Sequence, residues 1–364
     1  MPVTVKSFAK INLGLRIGSA RPDGFHELLT VYQTIGLYDV IRVSVGRGSG
    51  IEIRCADPRV PRDESNTCFR IVERAMTALR AKGRVVIEIE KRLPVQGGLG
   101  GASANAVSAL LALERAVRKG LTQSERLGFA ADVGSDLPLF LLGGAVLGVG
   151  RGEQVYPLPD FPATACVVVT PEIGVSTPKA FAQWDRLCGA GASAREGFPK
   201  PGSAEENSSK DEAELRSAGQ PGAAVPTQAE SKLTVLTAFD RMNELGCSLS
   251  AWLSGLYSSA PSHPLERGGR AGNPLLRLDR AGIENDFEQV VFPEYPKLGE
   301  AKGALVRAGA KYASLSGSGS TLYGMFASRQ AADSAIAKLR KAGWAAQMAS
   351  TLTRTAYWRR MWAE

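Results

Sequence analysis

The stretch Pro94-Val95-Gln96-Gly97-Gly98-Leu99-Gly100-Gly101-Ala102-Ser103-Ala104-Asn105 constrains this chain more than any other. Before it runs VVIEIE, where Val85, Ile87 and Ile89 alternate onto one face as in a strand. After it, from about Ala102, runs a strong helical pattern expected to stop at Gly120. The first turn of a helix offers unpaired N–H groups at the positive end of the dipole. Glycines in front of it adopt positive φ and let a ligand approach the backbone. Strand, glycine loop and helix together make an anion cradle suited to a triphosphate. Ser103 and Asn105 can add polar side chains toward phosphate or Mg²⁺. No Gly-Lys-Ser/Thr occurs in the chain, and after Gly98 and Gly100 the next position is Ser103, so neither the Walker nor the GxGxxG pattern is met. A plain helix-entry turn would use the same glycines without a ligand.

The rest of the chain is read around that loop. VTVKSFAKINLGLRI predicts one long strand or two joined ones. The Pro-Asp-Gly turn of RPDGFH follows, then strands over ELLTVYQTI, DVIRVSV and IEIRC. A helix is expected from Asn66 to Lys82, and another over LTQSERLGFAADVG. GSDLPLFLLGGAVLGVGRGEQVYPL reads as a return to strand with glycine turns, and ACVVVTP as a buried strand. From Cys188 to Thr227 the composition turns to Ala, Gly, Ser, Glu and Pro, which cannot bury much apolar surface, so a mobile insertion is expected. Helix resumes over TVLTAFDRMNELGCSLSAWLSGLY, followed by a second loop, SSAPSHPLERGGRAGNP. Lys297–Ala308 and Gln330–Ala342 read as helices, YASLSGSGSTLYGMF as strand, turn and strand, and WAAQMASTLTRTAYWRRMW as mostly strand.

Composition excludes several function classes. With 364 residues, two domains are expected. The net charge of +8 fits an acidic small ligand, since the Lys and Arg residues are scattered without interleaved aromatics; nucleic acid is not the expected partner. Five cysteines in no CxxC pair and two histidines offer no metal framework and point to a reducing compartment. The N-terminus lacks a signal-peptide core, and no run reaches the roughly 18 apolar residues of a membrane helix. The expectation is a cytoplasmic protein with no membrane partner.

At this point the motifs carry a likeness. Pro94, Gly98-Leu99-Gly100 and Ser103 resemble the phosphate-binding motif of the GHMP kinases, SFAKINLGL resembles that family's first motif, and LSGSGSTLYGMF its third. AKINL, RPDGFHEL, KRLPVQGGLGGASAN, GSDLPLF, PEIGVSTPKAF, ENDFE and SGSGST follow the order of the branch whose acceptor is 4-diphosphocytidyl-2-C-methyl-D-erythritol. The resemblance implies an α+β fold of two domains. The first, over 1–160, would be a ribosomal-protein-like α/β unit with a left-handed crossover. The second, over 161–364, would be ferredoxin-like and hold an insertion at about 188–275, with the active site in the cleft between them. It implies ATP-dependent transfer of phosphate to the acceptor's 2-hydroxyl, with Mg²⁺ accompanying ATP, in a monomer or homodimer. Another GHMP kinase, for homoserine or mevalonate, and a non-catalytic nucleotide-binding protein stand as alternatives.

The resemblance also implies roles. Asp136 is the base that takes the hydroxyl proton, where the residues alone suggest a helix cap. Lys10, on its own an edge-strand lysine, becomes the partner of Asp136 and offsets charge on the transferred group. The nucleotide belongs to Pro94–Ser103, Asn105, Asn66 and Lys91. Asn12, Phe25, His26, Thr177, Phe181, Gly317, Ser318 and Gly319 belong to the acceptor. Asn12 would hold its hydroxyls, His26 would hydrogen-bond the cytosine ring, and Phe25 and Phe181 would stack on it. Ala102 and Ala104 stand where Gly and a second Ser are common, which leaves Ser103 as the chosen hydroxyl for phosphate or Mg²⁺. Phe25 stands where Tyr is frequent and keeps stacking without the hydroxyl.

Overall fold

The computed structural model describes residues 2–189, 238–257 and 273–362. Most of the run expected to be a mobile insertion, and most of the loop after Tyr257, lie outside the described residues. The chain opens with β1 (Val3–Ala20), which turns at Pro22–Gly24 and pairs antiparallel with β2 (His26–Gly46). The two strands expected over ELLTVYQTI and DVIRVSV are this one β2. The register explains why: Phe8 faces Tyr38 but Lys10 faces Thr34, so the glycine signal at Gly36 is spent in a bulge of β2 rather than a break. Bulges re-aim side chains, and a second register shift between Asn12 and Gly14 brackets Lys10 and Asn12.

Next come β3 (Ile51–Cys55), α1 (Thr67–Ala78), β4 (Arg84–Glu90), α2 (Gly101–Val117), α3 (Gln123–Val133), the one-turn α4 (Leu137–Phe140), β5 (Ala145–Val149) and β6 (Gln154–Pro157). The first sheet runs β3-β4-β2-β5-β6, with β1 along β2; β3 and β4 are parallel and the other pairs antiparallel. Three expectations are corrected here. The segment at Asp136 begins with helix, since Pro138 suits a first turn. The left-handed stop of α2 falls on Arg118 (φ 53), two residues before Gly120, with the Lys119 N–H returning to Glu114 O at 3.1 Å. Helix α1 ends at Ala78, short of Lys82.

The second sheet is antiparallel, ordered β10-β7-β9-β8: β7 (Ala165–Val169), β8 (Tyr312–Leu315), β9 (Leu322–Phe326) and β10 (Ala346–Ser350). Around it lie α5 (Thr177–Gly189), α6 (Ala238–Tyr257), α7 (Glu288–Glu294), α8 (Pro296–Arg307) and α9 (Arg329–Lys341). The C-terminal segment, expected to be mostly strand, leaves β10 to form α10 (Arg354–Met361), because the Thr353 hydroxyl accepts the Ala356 N–H and starts a helix. Tyr357 and Met361 of α10 are buried in the first sheet's core, and the Tyr357 hydroxyl donates to Phe140 O at 2.7 Å, which braces α4.

Strand β1 positions the site. Its middle is buried on both faces. Phe8 joins the core shared with α2, while Ala9, Ile11 and Leu13 join Cys166, Val168 and Tyr323 of the second sheet. Any polar side chain in that stretch is shut off from water and must find protein partners.

Candidate active site

Lys10 is the first such side chain, at 3% exposure, so it is not a solvated edge lysine. Its Nζ donates to Asn12 Oδ1 at 2.6 Å and lies 3.3 Å from Asp136 Oδ2 and 5.6 Å from the centre of the Tyr32 ring. A buried ammonium needs partners of this kind to replace the water it has lost. Asn12 is fixed in turn, its Nδ2 donating to Thr30 Oγ1 at 2.8 Å. Asp136 occupies the N-cap position of α4, yet its side chain makes no cap bond. Instead it faces Lys10 and accepts the Tyr32 hydroxyl at 3.1 Å. A carboxylate that leaves its helix end bare in order to meet a buried lysine is placed for chemistry more than for capping. Burial and the neighbouring Asp136 carboxylate hold the Tyr32 hydroxyl well above its ordinary pKa, so it stays a donor.

The glycine loop lies across from this pair. Backbone φ is positive at Gln96 (59), Gly98 (75) and Gly100 (68). The last is the N-cap of α2, and no side chain caps it, so the first amides of a 17-residue helix lack a side-chain partner. The loop is held by backbone contacts. Lys10 N–H donates to Leu99 O at 3.0 Å, Thr321 N–H to Gly97 O at 3.2 Å, and Ser316 Oγ to Gly98 O at 2.9 Å. A Cβ on Gly98 would sit 2.1 Å from Ser316 O, which explains why that position is glycine. The two glycine-rich loops are therefore docked on each other. Asn285, from ENDFE, fastens the second by donating to Leu315 O and Gly317 O at 2.9 and 2.8 Å.

A cleft of about 610 Å³ joins these parts. Its lining includes Lys10, Asn12, Asn66, Lys91, Pro94–Ser103, Asn105 and Asp136, and beyond them Phe25, His26, Thr177, Phe181, Gly317 and Ser318. Asn66 lines the cleft, and its Oδ1 accepts the Cys68 N–H at 2.8 Å as the cap of α1. Gly319 is the exception. It is not in the lining, since its N–H turns back to Ser316 O at 3.0 Å and its Cα faces Leu315. Asn105 is buried, and its Nδ2 donates to Asp39 at 2.9 Å. Lys91 is also bound to Asp39, at 2.6 Å.

At the far end, His26 Nε2 lies 2.6 Å from Asp185 Oδ1, and Phe181 stacks on the imidazole at 4.8 Å and 12°. That spacing leaves no room for a third ring between them. Phe25 is 48% exposed with Arg151 over its ring at 4.8 Å. Thr177 and Ser318 share a hydroxyl hydrogen bond of 2.7 Å. The sequence reasoning passed over Tyr32, Asp39, Arg151 and Asp185. Each sits in a strand, turn or helix where its residue type is ordinary: Tyr32 and Arg151 line the cleft, while Asp39 and Asp185 lie outside the lining and hold residues in it, Asp39 through Lys91 and Asn105 and Asp185 through His26.

A glycine loop feeding an uncapped helix, opposed by a lysine–aspartate pair and closed by a second glycine loop, defines a small-molecule kinase of the GHMP class. Residues 66–144 match the GHMP kinases N terminal domain, and residues 268–344 the GHMP kinases C terminal model. Within that class the chain belongs to the 4-diphosphocytidyl-2-C-methyl-D-erythritol kinase family. It is 34% identical over 332 residues to the kinase of that name from Solibacter usitatus (strain Ellin6076), covering 91% of this chain and 84% of that one. To the corresponding protein of Acaryochloris marina (strain MBIC 11017) it is 32% identical over 340 residues, covering 93% and 92%. The crystal structure of a 4-(cytidine 5'-diphospho)-2C-methyl-D-erythritol kinase superposes with a TM-score of 0.62 at 26% identity, covering 96% of this chain and 98% of that one.

Proposed function

We infer that this cleft transfers the γ-phosphate of ATP to the 2-hydroxyl of 4-diphosphocytidyl-2-C-methyl-D-erythritol. The products are ADP and the 2-phosphate, an intermediate of the non-mevalonate route to isoprenoid precursors. The observation that carries the reading is the buried Lys10 within 3.3 Å of Asp136, set against the uncapped start of α2. The loop from Pro94 to Ser103 takes the triphosphate through its amides, with Asn66 and Lys91 along the nucleotide. Asp136 accepts the proton of the attacking hydroxyl. Tyr32 and Lys10 hold its two oxygens, so the carboxylate is oriented before the acceptor arrives. Lys10 then faces the transferred group, where a fixed positive charge in a dry site stabilises the developing charge.

Among the described residues no group of three His, Cys, Asp or Glu gathers to hold an ion. Ser103, in the lining, is an oxygen donor of the kind Mg²⁺ takes, and would hold it jointly with the phosphates of ATP. Bound there, Mg²⁺ supplies charge neutralisation of the phosphoryl oxygens.

Asn12 steers the acceptor's hydroxyls, and Thr177, Gly317 and Ser318 close around its middle. Cytosine stacks on the open ring of Phe25. To hydrogen-bond the base edge, His26 exchanges its bond to Asp185, and Phe181 backs the imidazole from the other side. The protein works in the cytoplasm as a monomer or homodimer, its two domains spanning 1–160 and 161–364. Among the described residues no helix is long and apolar enough to cross a membrane. The test is ADP release with each acceptor in turn. The reading predicts turnover of 4-diphosphocytidyl-2-C-methyl-D-erythritol and not of homoserine or mevalonate; turnover of mevalonate alone contradicts it.

A further inference from the structure

We propose that Asp39 is the positioning residue of the ATP loop, a clamp that holds both stems of the glycine loop from a position outside the cleft lining; this rests on the reading of that loop as the ATP site. Asp39 lies on β2 at 0% exposure and is not part of the cleft lining. Its Oδ1 accepts the backbone N–H groups of Arg92 and Leu93 at 2.7 and 2.8 Å, the residues that lead into the loop. Its Oδ2 accepts Lys91 Nζ at 2.6 Å and Asn105 Nδ2 at 2.9 Å, and Asn105 lies in the second turn of α2, past the loop's exit. One carboxylate therefore gathers four donors from the two ends of a single loop.

The need for such a clamp follows from the loop itself. It holds Gln96 at φ 59, a left-handed conformation that a non-glycine residue adopts only when its surroundings enforce it. It ends on a helix start with no side-chain cap. Left to itself, a stretch this rich in glycine would sample many conformations, and its amides would not converge on one phosphate position. Fixing the stems at 91–93 and 105 removes most of that freedom. The clamp also settles charge: a fully buried carboxylate requires compensation, and Lys91 with three N–H donors provides it. Lys91 Nζ lies 3.4 Å from where a Cβ on Gly101 would be, so the same ammonium stands behind the first residue of α2.

Asp39→Asn keeps the shape but turns an NH₂ group toward donors on one side, which frees a stem. Steady-state kinetics of the purified full chain, with ATP and the acceptor varied separately, tests this. Expected is a KM for ATP raised about tenfold, kcat lowered, and a KM for the acceptor within about twofold of wild type. A purely structural role would lower the active fraction and leave both KM values alone. Adding Asn105→Ala to Asp39→Asn should raise the KM for ATP little further, because both changes release one clamp. If Asp39→Asn does not fold, Asp39→Asn/Lys91→Met, which removes the stranded ammonium as well, is compared with Lys91→Met and should show the higher KM for ATP. An unchanged KM for ATP in the folded variant, or an equal rise in both KM values, overturns the proposal. Failure of wild type to consume ATP would instead remove the reading of the loop on which it rests.

Discussion

The two ends of the cleft are built differently. The ATP end is held by backbone and buried bonds: loop docks on loop through Gly97, Gly98, Ser316 and Thr321, and Asp39 lies at 0% exposure beneath. The acceptor end is held by side chains that reach solvent on one side, with Asp185 54% exposed in its bond to the buried His26 and Phe25 open to solvent. The cradle for a triphosphate needs backbone amides at fixed positions and can be finished before the ligand comes. On the function proposed above, the pocket for a base would part His26 from Asp185 to take its ligand, a bond that the half-exposed Asp185 exchanges cheaply with water. Rigidity is placed where the common donor binds, and exchangeable contacts where the particular acceptor is chosen.

Substitutions can break or sharpen that contrast. Gly98→Ala should have the largest effect. Its Cβ would meet Ser316 O at 2.1 Å at a residue with φ 75, so the two loops must part. Turnover is expected to fall ~100-fold or more with a lower melting temperature, read by steady-state rates and thermal melts. Tyr32→Phe removes one of the bonds to Asp136 and leaves Lys10 in place. A fall in kcat of about tenfold is expected, the size of one hydrogen bond to a charged group. Because burial holds the Tyr32 hydroxyl far above its usual value, it does not ionise in the working range. Any alkaline limb of the rate profile below pH ~10 should therefore be the same in wild type and Tyr32→Phe. Asp185→Asn should be smallest, about threefold on the KM for the acceptor with the KM for ATP unchanged, since Asp185 is half exposed in its bond to the buried His26. A large loss there would show the acceptor end to be as rigid as the other.

The same contrast governs what could be read from the sequence. The glycine loop announces itself because its requirement falls on the backbone, and only certain residues meet it in a row. The start of α1 at Asn66 is legible for the same local reason, an Asn at the head of a helical pattern being a natural cap. Lys10 and Asp136 were named through family likeness, since nothing near either in the chain foretells their meeting; it depends on the bulge at Gly36 and on α4. Tyr32 and Asp39 were missed because an aromatic and an acid in a long strand look ordinary until the register fixes which way they point. The C-terminal segment reads as strand from its residue types, and only the Thr353 hydroxyl, which accepts the Ala356 N–H, turns it to helix. The face-to-face stack of Phe181 on His26 required α5 to dock, a tertiary event with no local signature.

In the proposed reaction Asp136 acts on the acceptor hydroxyl beside Lys10. Its most direct test is the rate constant for phosphoryl transfer in Asp136→Asn, measured with ATP and 4-diphosphocytidyl-2-C-methyl-D-erythritol both saturating. The account predicts a loss of ~10²–10⁴-fold while ATP binds as in wild type. Full activity in that variant would contradict it.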